Sequence, residues 1–65
     1  MIRNNDVIAL AKNYLTFLKV GYITYEQFLN RIYTLIDLID YSSIDADSYR
    51  VKLFNIKLKG NKYRR

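Results

Sequence analysis

Residues 21–39, GYITYEQFLNRIYTLIDLI, constrain the fold more than any other stretch, because a helix stop, a helix start and a long apolar stripe coincide there. Thr24-Tyr25-Glu26-Gln27 has the form of a capping box: the Thr24 hydroxyl accepts from the Gln27 amide, and the Gln27 side chain reaches back to Thr24. Ile23 and Phe28 flank it as a hydrophobic staple would. Beyond the cap, Tyr25, Phe28, Leu29, Ile32, Leu35, Ile36 and Ile39 recur every three or four residues, and Glu26, Asn30, Thr34 and Asp37 fall opposite. This spacing predicts a helix over 24–40.

The segment before it reads the same way. Asn4, Asn5 and Asp6 supply a candidate N-cap, and Val7, Ile8, Ala11, Tyr14, Leu15 and Leu18 follow helical spacing, with Leu10 and Phe17 widening the face until it must touch two neighbours. Lys12, Thr16 and Lys19 mark the wet side, and Gly21 is placed to take a left-handed C-terminal conformation. A helix over 5–20 is predicted. Only Gly21, Tyr22 and Ile23 then precede the Thr24 cap, which restricts the connection to a helical hairpin or a helix-turn-helix corner.

After Ile39 the run DYSSIDADS collects turn and cap formers, with Ser42-Ser43-Ile44-Asp45 as a second candidate cap. A third helix over 44–59 follows, with Asp45 and Asp47 early, Lys52, Lys57 and Lys59 late and Gly60 beyond its end, the order that complements a helix dipole. The rival is a strand, since Tyr49 to Leu53 alternates strictly and Phe54 to Lys59 alternates again after a slip, but a lone strand has no partner in this chain. As a helix the segment carries two apolar stripes, Ala46, Tyr49, Leu53 and Ile56 on one side and Ile44, Val51, Phe54 and Leu58 on the other. The expected architecture is an all-α three-helix domain over 1–60 with a flexible basic tail over 61–65. Leu15, Leu18, Phe28, Leu29, Ile32, Leu35, Ile36 and Leu53 are its expected core.

A chain of 65 residues buries only about 60% of the surface its unfolded form exposes. There is no Cys for a disulfide, and no Cys or His for an ordinary zinc site. With 51% apolar residues and seven Tyr, such a unit has more greasy surface than it can hide alone, so a homodimer is expected. The N-terminus MIRNNDVIAL lacks the apolar core of a signal peptide, and no run approaches the roughly 18 apolar residues of a spanning helix. A cytoplasmic protein is expected. The abundance of Ile, Asn, Lys and Tyr is compatible with an AT-rich genome, as in many small phage or plasmid proteins, and is a compositional prior only.

Charge is distributed unevenly. Residues 1–48 hold four bases (Arg3, Lys12, Lys19, Arg31) against six acids, whereas residues 49–65 hold seven bases and no acid, minus two against plus seven. Arg50, Lys52, Lys57, Lys59, Lys62, Arg64 and Arg65 are interleaved with Tyr49, Phe54 and Tyr63, a mixture suited to phosphates, with Tyr63 as a stacking surface. The leading expectation is therefore a small regulator of phage or plasmid type that contacts DNA or RNA through its C-terminal segment with little sequence preference. The alternative is a protein-binding inhibitor or adaptor that docks on a larger host protein. Its interface would use Tyr22, Tyr33, Leu38 and Tyr41, with Val51, Phe54 and Leu58 available to a second subunit.

Other chemistries have less to stand on. Tyr25, Gln27, Asn30, Arg31 and Thr34 lie where a recognition helix would carry base contacts. However, Glu26, Asp37 and Asp40 would repel phosphate, and Phe17 stands where a helix-turn-helix wants a small residue. Without His, Cys or a Gly-rich phosphate loop no catalytic constellation is evident, and no cofactor is expected. Asp37 with Asp40 and Asp45 with Asp47 read as helix-end residues rather than cation ligands. The two stripes of the third helix fit poorly with lying flat on a membrane.

Overall fold

Three helices, α1 (Asn4–Lys19), α2 (Tyr25–Asp37) and α3 (Ala46–Gly60), followed by a 3-10 turn over Asn61–Tyr63, make up the computed structural model, which describes residues 3–64. Among the described residues every element is helical, and the strand alternative for 49–59 is not adopted.

The hairpin forms as the sequence dictates. Gly21 takes φ +80°, its amide donates to the Leu18 carbonyl and the Tyr22 amide donates to the Phe17 carbonyl, the paired bonds of a Schellman ending. Three residues later the Gln27 amide donates to Thr24 Oγ1 at 3.1 Å, and the Thr24 amide donates to Gln27 Oε1 at 3.0 Å. Both ends of the hairpin thus satisfy their backbone groups locally.

Cross-links between distant residues set the topology. The Tyr49 hydroxyl donates to Asn5 Oδ1 at 2.8 Å, bringing the starts of α1 and α3 together, and the Tyr25 hydroxyl donates to Asn61 Oδ1, bringing the start of α2 to the end of α3. The result is an up-down-up bundle in which α1 and α3 run parallel and α2 antiparallel to both.

Val7, Ile8, Ala11 and Leu18 of α1, Phe28, Ile32 and Leu35 of α2, Ile39 of the loop, and Ala46, Leu53 and Ile56 of α3 form the buried core. The expected core members Leu15, Leu29 and Ile36 are only half-buried against it. In a three-helix bundle each helix buries a wedge aimed between its two neighbours, and these three residues sit on the flank of that wedge.

Several boundaries differ from expectation. Asn4, Asn5 and Asp6 lie inside α1, and Arg3 occupies the cap position without a side-chain bond. Asn4 Oδ1 instead accepts from the Asp40 amide at 3.1 Å, while the Tyr41 hydroxyl donates to the Ile36 carbonyl at 3.0 Å, so α2 closes at Asp37 rather than at 40. Ser42 to Asp45 make no capping box; the Ser43 hydroxyl donates to Asp45, and α3 starts at Ala46, two residues later than expected. At the other end Gly60 is no stop at all. It is buried and helical, and its bare Cα faces the ring of Phe28. The tail expected to lack structure begins with the 3-10 turn, and Tyr63 packs half-buried against the core.

Candidate nucleic-acid interface

The basic residues of α3 leave the helix in two directions. Lys52 and Lys59, seven residues apart and hence on one face, look toward α1. Together with Asn55 and Ile56 of α3 and Ile8 and Lys12 of α1 they line a groove of about 310 Å³. None of the six is acidic. Ile8 and Ile56 form its floor, and the lysines form its rim with stems that are themselves apolar.

Arg50 and Lys57 occupy the opposite flank, toward α2. Lys57 Nζ lies 5.0 Å from the centre of the Tyr33 ring and 5.9 Å from that of Phe54, so its charge sits between two aromatic faces. Arg50 is 3.6 Å from the Asp47 carboxylate in an exposed pair. Lys62 and Arg64 lie past the end of α3, where the Arg64 guanidinium stands 5.7 Å over the Tyr25 ring. The expected set is therefore three groups and not one stripe. Arg65 lies outside the described residues.

Lys12 is the member that sequence reasoning missed. It belongs to the acid-rich first part of the chain and read as the wet side of its helix, and only the parallel packing of α1 on α3 brings it beside Lys52 and Lys59. Lys19 lies two turns further along the same face of α1 and is exposed. The signal that could have found them is the seven-residue repeat of lysine on both helices, 12 and 19 on one, 52 and 59 on the other.

The topology also sorts charge along the molecule, whose extents are 36 × 20 × 15 Å. Asp6, Asp37, Asp40, Asp45 and Asp47 collect where α1 and α3 begin and α2 ends, whereas Lys19, Lys57, Lys59, Lys62 and Arg64 collect at the other end. Asp6 and Asp47 in the first turns of α1 and α3, with Lys19, Lys57 and Lys59 in their last turns, counter the macrodipoles of these two parallel helices, whereas Asp37 at the end of α2 does not. Mutual repulsion among the exposed lysines is screened within about 10 Å at 0.1 M salt.

The other candidate residues are engaged in different ways. Tyr63 turns one side of its ring to the core and shares a shallow cleft with Leu18, Ile23 and Tyr25. On the outer face of α2, Gln27 closes the capping box, Arg31 lies 5.1 Å over the Tyr14 ring and the Thr34 hydroxyl donates to the Asn30 carbonyl at 2.9 Å. Tyr25 is held by Asn61. Gln27, Arg31, Thr34 and Tyr25 thus have partners at home, which leaves α2 poorly equipped to read bases.

Tyr22, Tyr33, Leu38, Tyr41, Val51, Phe54 and Leu58 are all exposed, from 42% for Phe54 to 77% for Tyr22. They do not form one surface. Tyr22 stands at the α1–α2 corner with its ring 5.3 Å from that of Phe17, Leu38 and Tyr41 lie at the far end of α2, and Val51, Phe54 and Leu58 make an outer stripe on α3 that meets Tyr33 through Lys57.

Of the carboxylates, Asp40 is held below the usual range because the Ser42 hydroxyl and the Ser42 amide both donate to it. Among the described residues no group of three or more His, Cys, Asp or Glu gathers around a possible metal position, and no helix is long and apolar enough to cross a membrane. Comparison of the chain with protein-family models, with curated proteins and with solved structures gives no match.

Proposed function

We propose that the chain is a small, non-enzymatic nucleic-acid-binding protein of regulatory type, contacting DNA or RNA phosphates with low sequence specificity. The observation that carries this reading is the acid-free groove in which Lys12, Lys52 and Lys59 converge from two helices. Neutralised phosphates release counterions, and that term is sequence-independent. Lys62 and Arg64 extend the same positive end. Arg50 contributes less, since it is paired with Asp47; Lys52, Lys57 and Arg64 each lie over an aromatic ring, Tyr49, Tyr33 and Tyr25, and keep their charge there. Among the described residues no cluster of free polar side chains on a basic element offers base-specific contacts, so specificity stays modest.

A homodimer belongs to this proposal. Val51, Phe54 and Leu58, at 54%, 42% and 61% exposure, leave an apolar stripe along the outside of α3 that a second copy would cover. Pairing doubles the positive surface offered to one polyanion and raises avidity.

The exposed tyrosines support a second reading, docking of the protein on a larger host protein through Tyr22, Tyr33, Leu38 and Tyr41. Pull-down of the tagged protein from a cell lysate, with and without nuclease, separates the two. Nucleic acid that nuclease releases supports the first; a nuclease-resistant protein partner with no nucleic acid supports the second.

A further inference from the structure

We propose that the α1/α3 groove is a track for a single nucleic-acid strand rather than a pad for a duplex, an inference that rests on the phosphate-binding reading. Lysine borders it on both sides, Lys12 from α1 and Lys52 and Lys59 from α3, and the row on α1 continues beyond it to Lys19. Lys12 and Lys19 follow each other on α1, and Lys52 and Lys59 on α3, each pair separated by seven residues and so by ~10 Å along the helix. Because α1 and α3 are parallel, the rows run side by side, and a strand lying between them meets positive charge on both flanks.

Width favours one strand. The groove lies between one pair of packed helices, which stand ~8–10 Å apart, and its volume of about 310 Å³ takes groups of one strand rather than the paired strands of a duplex. A duplex can rest only on the rims, whereas one strand can settle between the rows. The lining agrees. Ile8, Ile56 and the lysine stems present apolar surface that suits sugars and the faces of unstacked bases, surfaces which a duplex keeps turned inward. The Asn55 amide, at the groove wall, carries both donors and an acceptor, so it can meet the edge of any base without selecting one. Among the described residues no aromatic side chain lines the groove itself, and the centre of the Tyr49 ring lies 5.1 Å from Lys52 Nζ, which makes electrostatics rather than stacking the main source of affinity.

The proposal separates residues that charge counting treats alike. Lys12 and Lys19, far from the basic C-terminal segment in sequence, become strand contacts, and both are exposed, so their removal leaves the core intact. Fluorescence anisotropy with a labelled oligothymidine and a labelled duplex of equal length, over a range of salt, tests it on the full chain. The wild type is expected to bind the single strand more tightly than the duplex. Lys12→Ala/Lys19→Ala is expected to shrink the single-strand salt slope by about 1.4, at roughly 0.7 per lost phosphate contact, while circular dichroism shows an unchanged melting transition. If single strand and duplex bind equally, and this variant keeps the full slope while Lys62→Ala/Arg64→Ala loses it, the groove is not the track although phosphate binding stands. If the wild type binds neither, the phosphate reading falls and takes the groove with it.

Discussion

Phe28 lies edge-on against the bare Cα of Gly60, so close that a Cβ added there would overlap Phe28 Cε2 and stand 3.0 Å from Cζ. The contact joins the first turn of α2 to the last turn of α3 and fixes where the basic C-terminal end leaves the bundle. Gly60→Ala is expected to destabilise by about 1–3 kcal/mol through overpacking, an effect that alanine's better helix propensity offsets only in part. Adding Phe28→Leu should recover part of the loss, because the two residues share one space. Urea unfolding of the two single variants and the double reads this coupling.

Gly21 offers a contrast. Nothing lies within 4 Å of a Cβ built there, but its φ is +80°. Gly21→Ala should cost about 1–2 kcal/mol from backbone strain alone, and no substitution at Phe28 should relieve it. The same unfolding series distinguishes a glycine kept for space from one kept for conformation.

Ile32, fully buried at the middle of α2, anchors the core. Ile32→Ala should cost about 2–5 kcal/mol, a large share of the stability of a domain this small. Ile36→Ala should cost visibly less, since Ile36 is only half-buried. Equal losses at the two positions, by thermal melting, would contradict the observed packing.

The capping box makes a local forecast. Thr24→Ala removes the acceptor of the Gln27 amide and should cost about 1 kcal/mol. Thr24→Asn, which restores an acceptor, should recover most of it.

Asp40 makes the pH forecast. Its pKa lies below the ordinary 3.8 because Ser42 donates to the charged form. A carboxylate with a depressed folded pKa contributes stability at pH values above its ordinary pKa and loses that contribution as pH falls through the folded value. Asp40→Asn should therefore be less stable than wild type at neutral pH, with the gap narrowing once pH drops below about 4. Full exposure keeps the effect small. Urea midpoints at neutral and acid pH measure it.

Much of the fold was legible in the chain. The T-x-x-Q cap, Gly21 and the stripe from Phe28 to Ile36 each act within one or two helical turns, so sequence spacing captures them. The differences came from contacts between distant residues. Asn4 was free to cap α1 but serves Asp40, Gly60 looked like a stop signal until Phe28 was placed against it, and Tyr63 had no periodicity yet found the core. The candidate interface follows the same division. The basic character of residues 49–65 is local and was visible, whereas the contribution of Lys12 depends on the parallel arrangement of α1 and α3, which spacing within a helix does not encode. Truncation after Gly60 illustrates the difference. By sequence it removes three charges and a stacking surface but no core stripe, whereas in the fold it removes the packed Tyr63 ring and the Asn61 acceptor of Tyr25, so the shortened chain should melt earlier.

The central claim, that the positive surface exists to meet nucleic-acid phosphate, is tested most directly by the salt dependence of binding. Fluorescence anisotropy of a labelled strand titrated with the wild-type chain should show binding at about 50 mM salt, with log affinity falling linearly in log salt concentration. Lys52→Ala/Lys59→Ala should flatten that line without altering the fold. No binding to single strand or duplex under these conditions, at micromolar protein, would contradict the claim and leave the exposed tyrosines as the leading functional surface.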